Sequence, residues 1–89
     1  MRRTGQQRLD AIPAAVERRD EFLVRVAGAE GDAVRCADLM AEAITMKTDA
    51  NFLEVVERSG KVMVTIESVM AAHCMIDARD AFLKAKAQS

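Results

Sequence analysis

Residues 52–75 read FLEVVERSGKVMVTIESVMAAHCM. At helical spacing Phe52, Val55, Val56, Val62, Met63, Ile66, Val69, Met70 and His73 fall along one face, interrupted only by Ser59. Glu54, Glu57, Arg58, Lys61 and Glu67 point away from it. Apolar residues recurring at intervals of three and four predict a helix with one buried side. A rival lies inside the same stretch. Residues 61–67 alternate and are rich in β-branched side chains, and Arg58-Ser59-Gly60 would turn them back as a β-hairpin. The helical stripe extends past the alternating patch at both ends, which favours helix.

Upstream, the same period continues. Ile12, Ala15, Val16, Phe22, Leu23, Val26, Ala33, Cys36, Ala37, Met40, Ala43 and Ile44 follow one stripe, with Arg19 and Glu30 as polar exceptions. Pro13 suits a first helical position, where its missing N–H costs nothing. Gly28 and Gly31 each weaken a helix by about 1 kcal/mol relative to Ala, yet the stripe keeps its phase through them. One long first helix, kinked near those glycines, is therefore expected over residues 12–47. Thr48, Asp49 and Asn51 are good N-caps, so a second helix is expected over residues 50–86. Its acids lie near the start and Arg79, Lys84 and Lys86 near the end, as the helix dipole prefers. The fold class predicted is all-α: an antiparallel helical hairpin over residues 12–89, preceded by a flexible basic arm at residues 1–11.

Composition bounds the function. The chain has 89 residues, 51% hydrophobic and 30% charged, with a net charge of −1. One small domain follows, too hydrophobic to be disordered and with no global field to draw it to nucleic acid or membrane. Phe22, Phe52 and Phe82 are its only aromatics, a poor stacking platform for single-stranded nucleic acid. Glu67 divides the longest apolar run, so no membrane span is expected. Two cysteines and no signal peptide point to a reducing cytoplasm.

Chemistry-bearing motifs are scarce. There is no Ser/His/Asp arrangement, no Gly-rich phosphate loop and no His-Glu metal helix, so no enzyme and no cofactor are expected. His73 and Cys74 diverge by about 100° on a helix, and Cys36 lies far along the chain. A metal site is not expected within one chain, and the six methionines read as core filling. Val24, Val34, Leu39, Met46, Leu53, Val64 and Met75 are apolar but lie off the stripe. A lone two-helix hairpin would leave them exposed, and soluble monomers avoid large apolar patches. Self-association into a four-helix bundle or larger oligomer is the natural remedy, with Phe52, Val56, Met63, Ile66 and Met70 as the expected interface.

The function expected is a small cytoplasmic protein-binding module (adaptor, chaperone-like or inhibitory) that acts as a homo-oligomer with a further protein partner. The alternative is a ligand- or metal-responsive regulator of nucleic acid. It would contact anions through Arg2, Arg3 and Arg8, helped by Arg18, Arg19 and Arg25, and sense through Cys36, His73 and Cys74. A weaker reading makes arginines between subunits a pocket for a small anionic ligand.

Overall fold

The start of each helix is marked by a capping residue: Thr4, Asp32 and Thr65. The computed structural model describes residues 4–58 and 64–88, the stretch 53–58 in backbone alone. Among the described residues it forms three helices and no strand: α1 Gly5–Gly28, α2 Ala33–Arg58 and α3 Ile66–Gln88. The fold is all-helical as the periodicity predicts, but the two-helix division is corrected to three.

The first helix starts eight residues before Pro13. Thr4 and Gln7 close a capping box: the Gln7 N–H donates to Thr4 Oγ1 at 3.1 Å, and the Thr4 N–H to Gln7 Oε1 at 2.8 Å. That reciprocal pair satisfies two otherwise unpartnered donors, so residues 5–11 are helical and the start expected near Pro13 is corrected. Pro13 lies inside α1 on its exposed side.

Residues 27–32 (AGAEGD) are a break rather than a kink, which corrects the single helix over 12–47. Gly31 has φ +84°, a left-handed conformation that side chains disfavour. Asp32 then caps α2, accepting the Arg35 N–H on Oδ1 at 3.1 Å. The space around both Gly28 and Gly31 is open, so only backbone conformation separates their substitutions. Gly31→Ala is expected to cost about 1 kcal/mol, and Gly28→Ala to be neutral or stabilising by up to about 1 kcal/mol. Urea denaturation of both variants checks this, and equal effects would contradict it.

The expected boundary at residues 47–51 does not occur. Thr45 and Thr48 turn their hydroxyls back onto the carbonyls of Ala41 (3.2 Å) and Ile44 (2.9 Å), so they sit inside a continuing helix instead of capping a new one. The continuous helix over residues 50–86 is corrected as well: Val64 and Thr65 are non-helical, and Thr65 caps α3 by accepting the Ser68 N–H at 3.2 Å. The rival hairpin is not formed where residues are described: its first arm, 52–57, lies in α2 and residues 66–67 begin α3, while residues 59–63 lie outside the described residues.

Cross-links fix the arrangement. Lys47 donates to Ser68 at 2.5 Å, and Lys84 reaches Glu30 at 3.4 Å. Early α3 therefore meets the later part of α2, and late α3 the turn before it, so these two helices are antiparallel. They form the most extensive helix pairing; α3 also packs on α1. Their contact is built from small residues. Ala29, Cys36, Ala43 and Ala50 recur every seven positions, as do Ala71, Ala78 and Ala85, and all are buried. A seven-residue repeat keeps one seam facing its partner along antiparallel helices, and small side chains let the backbones close on each other.

Large residues consequently end up outside. Of the expected stripe, Phe22, Cys36 and Ala43 are buried, whereas Ile12 and Ile44 are exposed. Of the off-stripe set, Leu39 is buried, but Val24, Val34 and Val64 are exposed. The radius of gyration is 14.7 Å, against about 12 Å for a compact chain of this length. An elongated three-helix array of this size has much surface for its core.

Candidate functional site

The α2–α3 pair has two broad sides, and α1 covers only one of them. On α2 the covered side is marked by Glu42, which takes a two-pronged ion pair from Arg25 of α1 at 2.6 and 2.7 Å. On α3 it is marked by His73, whose Nδ1 lies 3.5 Å from the Arg19 guanidinium. An open groove of about 300 Å³ runs along this side, lined by Ala14, Arg18, Met46, Asp49, Glu67 and Met70 among others. The hydrogen-bonded guanidinium holds the Glu42 carboxyl below the usual carboxylate range, and the same bond raises Arg25. Both side chains are about half exposed, so solvent screening keeps the pair's contribution to stability small.

Among the described residues, none covers the opposite side. Advancing 100° per residue, Val34, Ala37, Ala41, Ile44, Thr48 and Phe52 fall within an arc of about 80° on α2. Val69, Ala72, Ile76 and Leu83 do the same on α3. The buried small-residue repeat points the other way on each helix, which is why these residues face solvent. Val34 is 73% and Phe52 74% exposed; Ile44, Ile76 and Leu83 each exceed half. Charge is sparse: Asp38 lines the Arg25–Glu42 side of α2, and on α3 Arg79 and Asp80, 3.9 Å apart, flank the arc on its two sides. The result is a two-helix apolar platform, about 27 Å long from Val34 to Phe52 at 1.5 Å per residue.

The expected interface residues are not brought together. Phe52 lies on the platform. Met70 is half-buried in the groove on the α1 side, and Ile66, the first residue of α3, sits half-buried beside Leu9 and Ile12. The mid-helix place expected for Ile66 is thereby corrected, because α3 begins there. Val56 and Met63 fall outside the described side chains. The reading over residues 52–75 missed Val34, Ile44, Ile76 and Leu83. A signal was present in the seven-residue spacing of Val69, Ile76 and Leu83.

Of the candidate anion and metal residues, Cys36 and Cys74 share one buried cluster, while His73 and the described arginines lie elsewhere. Arg2 and Arg3 lie outside the described residues, and Arg8 is half-buried on α1. Arg19 is engaged by Asp20 at 2.8 Å and Arg25 by Glu42. Cys36 is fully buried and donates to the Ala29 carbonyl at 3.3 Å. Cys74 is fully buried on α3, and burial pushes its thiol pKa up, with the Asp77 carboxylate adding to the shift. Both thiols are free, and a buried thiol with a raised pKa is a weak nucleophile. Among the described residues no group of three or more His, Cys, Asp or Glu side chains could hold a metal ion, and no helix is long and apolar enough to cross a membrane.

No family model, no curated protein and no solved structure matches the chain.

Proposed function

We propose that this chain is a small non-enzymatic protein-binding module, of the adaptor, chaperone-like or inhibitory kind, working through the α2–α3 platform. One observation carries the reading. The core is filled by small residues, while Val34, Ile44, Phe52, Ile76 and Leu83 stand exposed on one continuous face. Burying a Val, Leu, Ile or Phe side chain stabilises by about 1.5–3 kcal/mol, so a folded chain that leaves five of them together in water gains by docking against another protein. The face has little charge of its own, which suits an apolar partner surface better than a phosphate backbone. Reading the chain as a nucleic-acid regulator finds less support, because Arg19 and Arg25 on α1 already have carboxylate partners.

Photocrosslinking in cells tests the proposal. Benzoylphenylalanine replacing Ile44 or Ile76 is expected to form discrete protein adducts, and the same probe replacing the exposed Glu17 on α1 none. An adduct with another copy of the chain and an adduct with a different protein both count as binding. Absence of adducts at both platform positions, or equal labelling at position 17, would sink the reading.

A further inference from the structure

We infer that the occupant of the platform is a second copy of the same chain, its helices antiparallel to the first, so that two α2–α3 pairs enclose a four-helix core with both α1 helices outside. The inference rests on the binding-module reading of this face and adds the identity of the partner.

Area comes first. The platform is about 27 Å long and two helix widths, about 20 Å, across. With the relief of its side chains, that is comparable to the roughly 800 Å² per partner of a standard interface.

Symmetry comes second. Face-to-face homodimers are self-complementary about a two-fold axis, and the platform has the required palindromic order. Ile76 lies at the middle of α3, which spans Ile66–Gln88, with Val69 and Leu83 seven residues to either side. Ile44 lies near the middle of α2, which spans Ala33–Arg58, with Val34 and Phe52 toward its two ends. A two-fold axis crossing both helices at that height sets Ile76 on its own counterpart and Val69 on Leu83 of the second copy. On α2 it sets Val34 near Phe52 and small Ala37 near Thr48, with Ile44 between them close to the axis. The seven-residue period that buries Ala71, Ala78 and Ala85 inside thus repeats outside, as expected for a helix with a seam on each side.

Charge comes third. The axis that pairs Val69 with Leu83 sets Asp80 level with Ala72 of the second copy, so Asp80 meets no second carboxylate there.

The purified full chain is the material for the experiment, with sedimentation equilibrium as the readout and far-UV circular dichroism as the control for folding. Wild type is expected to sediment at twice its 9.8 kDa chain mass at high micromolar concentration. Ile44→Glu and Ile76→Glu each place a carboxylate in the apolar interface and should raise the dimer dissociation constant about tenfold or more. Their helical spectra should persist, because both positions are more than half exposed in the single chain. Monomeric wild type would overturn the inference, and so would a dimer indifferent to both substitutions. Monomeric protein whose platform still crosslinks to a different protein in cells leaves the binding-module reading standing and removes only the second copy. Absence of both self-association and adducts removes both.

Discussion

Phe22→Ala should be among the most damaging single substitutions in this chain, lowering the unfolding free energy by about 3–5 kcal/mol. Phe22 is 2% exposed and is the one aromatic in the buried set of the described residues. Its cluster combines small residues, Ala29, Cys36, Ala43, Cys74 and Ala78, with Leu39, and Met40, Met46 and Met75 are packed against it. Filling the vacated space would draw those side chains out of their own packing, so the loss is expected to stay large. Domains of this kind hold only about 5–15 kcal/mol in all, and the melting temperature should fall by on the order of 20 °C. The other two phenylalanines supply a graded control. Phe82 is half-buried against the core and Phe52 is exposed. Phe82→Ala should fall between, and Phe52→Ala should leave the melting temperature of the dilute chain nearly unchanged. Thermal denaturation followed by circular dichroism gives all three values. A loss of only a few degrees for Phe22→Ala would mean that α1 is not anchored by this ring.

The second large effect has the opposite cause. Ala78→Leu is expected to destabilise by about 3 kcal/mol through overpacking, although leucine forms helix nearly as well as alanine. Ala78 is completely buried on α3 and belongs to the repeat Ala71, Ala78, Ala85 that faces α2. Three added carbons there must either force the helices apart along their whole seam or drive neighbouring side chains out of their rotamers. Ala87→Leu, on the exposed last turn of α3, adds the same atoms without that consequence and should be close to neutral. Urea midpoints of the two variants give the comparison. An Ala78→Leu protein as stable as wild type would show that the helices do not close tightly at this seam.

These two substitutions mark where reading the sequence succeeded and where it did not. The helical character of residues 12–28, 33–52 and 66–83 was legible, because spacing by three and four survives any choice of which face is buried. Break points were less so. Thr48, Asp49 and Asn51 look like caps in isolation, but a threonine that can return its hydroxyl to the carbonyl four residues back has a place inside a helix, and Thr48 does this. The true caps, Thr4, Asp32 and Thr65, carry the same residue types and differ only in where the chain turns.

From residue spacing and composition alone it follows that the chain is helical, that Gly28 and Gly31 weaken it at residues 27–32, and that it carries more apolar surface than a two-helix hairpin can bury. Which side of each helix is inside emerges from packing. The cause lies in α3, which meets α1 and α2 on different parts of its circumference and so bears apolar residues nearly all round. A helix of that kind has no single stripe for periodicity to find. Once the backbones of α2 and α3 approach, the seam is lined chiefly by alanine, cysteine and serine, and Ile44, Ile76 and Leu83 are turned outward onto the face where a second copy is placed.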